Sequence, residues 1–156
     1  MKKWLNIILS DPDNLEHILD AYSYYETEYE NVKKELNVKG ERIIGVSSKI
    51  PGLTEYVYSS IHELKAIQEV LANKEKRIAQ TIRENLGKNM NRNLGVQEMN
   101  KWVEADESVL AYKEFSIRIK LVQEKWTGVL TGLEQLHYQV AKIADLKKLG
   151  LDDVTI

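Results

Sequence analysis

The chain has 156 residues, 43% of them hydrophobic, and its formal net charge is −2. A chain of this length can bury a substantial core, and its near-neutral charge points to no class of partner. The absence of cysteine excludes disulfides and thiolate metal sites and favours a reducing compartment. No apolar run approaches the roughly 18 residues of a membrane-spanning helix, so we expect a cytoplasmic protein without a membrane partner.

The composition and periodicity predict an all-α protein that begins with a short apolar segment, residues 2–9. Leucine, glutamate and lysine are abundant, whereas the chain has one phenylalanine and two prolines. Ser10 or Asp11 is expected to cap a helix that has Pro12 at its first position, where a missing N–H costs nothing. Apolar residues then recur at heptad spacing, which predicts that this helix reaches about Leu36.

The first helix is acidic, and residues 1–40 form the acidic N-terminal segment. Seven carboxylates and no lysine or arginine lie between Asp11 and Glu30. A solvated helix face and a docking surface for a basic partner both explain this pattern. Tyrosines at positions 22, 25 and 29 follow the apolar seam, which favours core packing over a stacking surface.

Residues 41–95 are predicted to form the second helix and a basic turn. Residues 41–49 form a short helical piece that Pro51 interrupts with either a kink or a new helix start, because proline removes a helix hydrogen bond. A long helix follows from Leu53 to Leu86, with Gly87 as a natural C-terminal stop. The segment after it, GKNMNRNLG, is rich in glycine and asparagine and favours a turn.

Residues 96–150 are predicted to form one long C-terminal helix with an assembly surface. Eight residues recur by threes and fours and share one seam: Ile119, Val122, Trp126, Val129, Leu133, Leu136, Val140 and Ile143. A straight helix of this length spans about 80 Å, which exceeds a compact domain of this size. We therefore expect a single all-helical domain, a long helical hairpin with coiled-coil-like seams, whose copies assemble into a ring.

No convincing catalytic or metal-binding array is present. The three histidines, at positions 17, 62 and 137, fall on different predicted helices without a histidine three or four residues away. The run GERIIGVS has the glycine spacing of a phosphate-binding loop, but Val46 stands where the lysine is needed. We expect no enzyme and no cofactor.

Basic residues gather around the end of the second helix, the turn and the start of the third helix: Lys74, Lys76, Arg77, Arg83, Lys88, Arg92 and Lys101. A solvated helix face explains them equally well in a single copy. In an oligomer, repeated patches favour a polyanion such as DNA, because affinity rises with the number of phosphates neutralised. Trp102 and Tyr112 are candidate stacking residues, although the apolar spacing of Trp102 predicts a core position.

Four residue pairs follow in order at the start of the C-terminal helix: Glu98-Met99, Trp102-Val103, Ala105-Asp106 and Val109-Leu110. Their order and spacing resemble the central signature of the UvsY family of T4-like phage recombination mediators. Upstream, KIPGLTEYVYSSIHELK at 49–65 is similar to a second block of the family. Downstream, the helix at 128–150 is similar to its C-terminal helix, including late lysines. The resemblance covers about residues 30–150, and the first 30 residues look like an extension.

The resemblance implies a ring of six or seven copies that binds single-stranded DNA in recombination, repair and replication. Such a protein helps a RecA-type recombinase replace single-strand binding protein, in the host cytoplasm if the gene is carried by a phage. One departure is Glu84-Asn85, where a tyrosine pair is often found in the family. A structural coiled-coil adaptor that never binds nucleic acid is the alternative.

Overall fold

The protein is described by a computed structural model over residues 3–38, 42–89 and 95–149. Every regular element within these ranges is an α-helix, which confirms the all-α prediction. The helices are α1 (Lys3–Ser10), α2 (Leu15–Glu35), α3 (Ile43–Asn89), α4 (Val96–Glu104) and α5 (Glu107–Lys148). None of these helices is both long enough and apolar enough to cross a membrane.

The described residues form two compact units, each built from separate stretches of the chain. The first unit contains residues 23–38, 42–62 and 122–149, and the second contains residues 3–22, 63–89 and 95–121. The units therefore divide within α2, α3 and α5. The predicted segment boundaries near residues 40 and 95 fall between helices, after α2 and after α3.

The core of the first unit is centred on the fully buried side chain of Trp126. Its indole N–H donates a hydrogen bond to the backbone carbonyl of Tyr25, at 3.2 Å. The rings of Tyr25 and Tyr56 meet the indole edge-on, with centroids at 6.3 and 5.7 Å. The Trp126 side chain of α5 thus contacts both α2 and α3. Edge-to-face contacts of this kind between aromatic rings are favourable.

A hydrogen bond at the edge of this core ties Tyr56 to the acidic helix. The Tyr56 hydroxyl donates to Glu28 Oε2 at 2.6 Å. Burial raises the pKa of the Tyr56 hydroxyl above its ordinary value, and the hydrogen bond to Glu28 raises it further. The Tyr56 hydroxyl therefore keeps its proton and donates it to Glu28. This hydrogen bond makes Glu28 part of the packing of the first unit.

α3 runs through Pro51 as one helix, so a new helix start at this proline is wrong, while a kink there stays a prediction. Val46 and Ile50 of α3 pack with Val140 of α5 in a buried cluster, and Val57 is buried further along the same helix. A proline inside a helix costs about 3 kcal/mol. Burying each aliphatic side chain contributes about 1.5–3 kcal/mol, so packing on both sides of the proline outweighs the lost hydrogen bond.

The core of the second unit draws on all five helices. Its buried apolar residues are Leu5, Ile8, Ile18, Ala21, Leu64, Ile67, Leu71, Val103, Val109, Tyr112 and Ile119. The buried Glu63 carboxylate of α3 accepts a hydrogen bond from the backbone N–H of Leu5, at 3.0 Å. A negative charge at the amino end of α1 satisfies a donor that the helix cannot pair internally.

Two helix boundaries differ from the predictions. α2 begins at Leu15 instead of Pro12, because Asn14 Oδ1 accepts the Glu16 backbone N–H at 3.0 Å and acts as its cap. α3 continues past Gly87 to Asn89. The expected stop at Gly40, most of the predicted turn (residues 90–94) and the end of the chain from residue 150 lie outside the described residues, so the hairpin stays a prediction.

The predicted single C-terminal helix is two helices. α4 ends at Glu104, and α5 begins at Glu107. Asp106 separates them because its Oδ1 accepts hydrogen bonds from the backbone N–H groups of Ser108 and Val109, at 2.9 and 3.4 Å. A side chain bonded in this way caps the start of a new helix.

Most of the eight seam residues lie inside the units. Six of them are buried, and Leu136 and Ile143 are partly buried. The six buried side chains are packed within one chain and have no surface left for a second copy. We therefore correct the assignment of these six residues to contacts between copies and assign them to the cores of the two units.

Replacing Trp126 with alanine is expected to lower the free energy of unfolding by about 3–5 kcal/mol, since the change removes a large buried side chain. Tyr138→Ala is the control, because Tyr138 lies on the same helix and is 68% exposed; it should change stability by less than about 0.5 kcal/mol. Denaturant unfolding followed by circular dichroism measures both. Equal effects of the two changes would contradict the core assigned here.

Candidate nucleic-acid interface

One side of the last turns of α3 carries four exposed cations: Lys76, Arg77, Arg83 and Lys88. We call these four residues the basic face. At 3.6 residues per turn, these four positions fall within about 140° of the helix circumference and so share one broad side of α3. They extend over about 18 Å at 1.5 Å per residue. A row of this kind can follow a strand of phosphates.

Little negative charge offsets the basic face. Glu84 is the one acidic residue between positions 76 and 88, and it accepts a hydrogen bond from Gln80 Nε2 at 3.0 Å. Lys76, Arg77 and Lys88 form no ion pair with another described residue. Four cations against one carboxylate leave a positive local field, which attracts a polyanion.

The basic face connects to α4 through one side-chain contact. Arg83 Nη2 donates to Asn100 Oδ1 at 3.3 Å. The Val103 side chain of α4 is buried in the core of the second unit, so α4 is anchored there. The next residue after Asn100 is Lys101, which is exposed and adds a fifth cation to this part of the second unit.

Trp102 is exposed, contrary to the prediction from its spacing. Its side chain is 55% exposed, and it lines a surface groove on α4 with Gln97, Glu98, Lys101 and Ala105. In a continuous helix, Trp102 would share the buried side of Val109, seven residues later. The break at Asp106 changes the register, so that Val103 is buried instead.

Two predicted contact residues are used within the second unit. Lys74 is partly buried and forms an ion pair with Asp13, which offsets its charge. Tyr112 is buried, and its hydroxyl donates to the Pro12 carbonyl at 2.9 Å. Burial, with the Asp13 and Asp11 carboxylates nearby, raises the pKa of this hydroxyl. Tyr112 is therefore a core residue and not a stacking surface.

The structure thus brings together five of the seven predicted cations: the basic face and Lys101. Arg92 lies outside the described residues, and Lys74 is paired. The sequence pattern did not predict the helix break that exposes Trp102. A signal for it is present in the sequence, since Asp106 followed by Glu107 is typical of a helix start.

Part of the acidic segment is engaged within the units. Asp13 pairs with Lys74, and Glu26 accepts two hydrogen bonds from Lys125 Nζ, both at 2.8 Å. Glu28 holds the hydroxyl of Tyr56. These contacts give three of the seven carboxylates a role in stabilising their own unit.

Within the part of the chain that the structure describes, no group of three or more histidine, aspartate or glutamate side chains is arranged to hold a metal ion. Comparisons with family models, with curated proteins and with solved structures each find no match to this chain. The geometry of the second unit and the resemblance of its motifs are therefore the features that point to a function.

Proposed function

We propose that the protein is a recombination mediator that binds single-stranded DNA through the basic face of α3. The observation that carries the proposal is a row of four exposed cations with one carboxylate among them. The motif that resembles the UvsY family, 98–110, spans α4 and the start of α5, next to this row. Both observations concern the second unit.

The basic face holds the sugar–phosphate backbone and does not select a sequence. Lysine and arginine bind phosphate oxygens and release the counterions condensed around DNA. Phosphate contacts fix the position of a strand but carry no information on its bases. Binding of this type suits a protein that must act on any exposed strand.

In the proposed role, the protein holds single strands in a form that a RecA-type recombinase takes over from single-strand binding protein. A strand held by its phosphates keeps most of its base edges accessible to the recombinase. The recombinase and the displaced protein enter the proposal from the family resemblance alone. The basic face supplies the physical step on which this exchange depends, which is binding of the strand.

Assembly of several copies would multiply the affinity of each basic face, because tethered sites act at a high effective concentration. The seam is buried, but a different row of apolar residues on α5 is exposed in the second unit: Leu110 at 48%, Ile117 at 55% and Leu121 at 54%. Their spacing of seven and four places them on one side of the helix. We assign contacts between copies to this row.

The exposed apolar row also favours the second candidate, a structural adaptor whose partner is a helix of another protein. An adaptor needs the apolar row but not the basic face. The two candidates therefore differ in what charge reversal on α3 does.

Lys76→Glu with Arg77→Glu is expected to weaken binding to single-stranded DNA about tenfold or more, because two attractive interactions with phosphates become repulsive. The log–log dependence of the affinity on salt should also become less steep, by about 0.7 for each phosphate that is no longer neutralised. Fluorescence anisotropy with a labelled thymidine oligonucleotide measures both quantities.

The matched control is Lys33→Glu with Lys34→Glu, an adjacent exposed pair near the end of α2 in the first unit. It makes the same change in net charge and should leave affinity within about twofold. An equal loss of affinity in both variants would mean that total charge alone drives binding. No binding by the wild type at low salt would leave the adaptor as the better account.

Ile117→Asp with Leu121→Asp is expected to dissociate any assembly into single chains, since a charged group is costly to bury without a partner. Leu9→Asp is the control, because Leu9 is also 54% exposed and lies on α1 of the same unit. Sedimentation velocity reads the mass of each variant. An unchanged oligomer in the double variant would rule out this row as the contact surface.

A further inference from the structure

The three tryptophans of the chain have different environments. Trp126 is fully buried and Trp4 is partly buried, whereas Trp102 is 55% exposed. Trp102 lies on α4, whose nine residues are held to the second unit by the buried Val103 side chain. A large aromatic surface is thus presented to solvent from an anchored helix.

The groove beside Trp102 is lined by side chains of mixed character. Gln97 contributes an amide, Glu98 a carboxylate, Lys101 an ammonium group and Ala105 a small apolar surface. A carboxylate in the lining disfavours a phosphate inside the groove, whereas an amide and a carboxylate can pair with the polar edge of a base.

We infer that Trp102 is a stacking platform for an unpaired nucleobase. The inference rests on the proposed function and adds to it a contact with bases, which the basic face does not make. Every base has a flat π surface, so stacking on an indole is tolerant of sequence. Lys101, the neighbouring residue, supplies a cation for the phosphate next to the stacked base.

The position of α4 beside the basic face supports this assignment. Arg83 of that face donates to Asn100 of α4. At about 100° per residue, Trp102 lies about 200° around α4 from Asn100, and Lys101 lies between them. A strand that leaves the basic face at Asn100 therefore passes Lys101, which meets a phosphate, before one of its bases meets the indole.

Stacking of this kind gives a preference for single strands. A base inside a duplex is already stacked on its neighbours and paired, so it offers no free face to an indole. The basic face alone attracts any polyanion, including duplex DNA. Trp102 thus supplies discrimination that phosphate contacts lack.

The test compares two ligands that carry the same number of phosphates: a thymidine oligonucleotide and an abasic strand of equal length. Trp102→Ala should weaken binding to the thymidine strand by about fivefold or more, since base stacking on an aromatic side chain has effects of this size. Binding to the abasic strand should change by less than about twofold. Trp102→Phe, which keeps an aromatic ring, should restore most of the affinity that the alanine variant lacks.

A readout in the wild type avoids reliance on any one variant. Thymidine strands should quench the part of the fluorescence that Trp102 contributes, and abasic strands should not. The quenching should be absent in Trp102→Phe. We expect each variant to remain helical, because the Trp102 side chain is exposed. Circular dichroism checks this.

The outcomes separate this inference from the function beneath it. If the wild type binds neither strand, the proposed function fails. If charge reversal on α3 abolishes binding while Trp102→Ala leaves the preference for the thymidine strand unchanged, the stacking role alone is overturned. Loss of that preference in Trp102→Ala, with the abasic strand still bound, establishes it.

Discussion

The hydrogen bonds that the Asp106 carboxylate accepts from backbone N–H groups at the amino end of α5 determine what the second unit presents to solvent. They start a new helix soon after α4 ends at Glu104. Val103 and Val109 are both buried. In one continuous helix their side chains would point in directions about 120° apart. The break resolves this conflict, because each valine then packs from its own helix. Trp102, which would otherwise follow the buried side of Val109, is left outside.

The same break makes α4 a short helix that contacts the end of α3 through Arg83 and Asn100. Charge and aromatic surface are thus provided by different helices of one unit. α3 carries the basic face, and α4 carries Lys101 and Trp102. Phosphate binding and base stacking are complementary tasks, and single-strand binding proteins combine them in this way.

The sequence predicted the helical class well, because period and composition report on helices directly. It also located the apolar seam from Ile119 to Ile143, but not its role. Heptad spacing shows that one side of a helix is apolar, and it does not show whether the covering surface belongs to the same chain or to a copy. Here the indole of Trp126 is covered by tyrosines of its own chain, which no local pattern reveals.

Boundaries failed where tertiary packing or a single cap competed with a local rule. Pro51 predicts a break, but the buried residues on both sides of it keep α3 continuous. Asp106 is a weaker sequence signal for a helix break than a proline or a glycine. Its carboxylate nevertheless caps the start of α5 and so divides the predicted long helix in two. The basic face was predictable because charges in a helical row need no tertiary information. The pairing of Lys74 with Asp13 was not, since those residues are far apart in the chain.

The central claim is that a single strand lies along the basic face and reaches α4. Photochemical crosslinking of the protein to a thymidine strand that carries 4-thiothymidine, followed by peptide mapping, tests it directly. The account predicts crosslinked peptides from residues 76–88 of α3 and from 96–104, with Trp102 as the attached residue in the second peptide. Crosslinks confined to the first unit would contradict it.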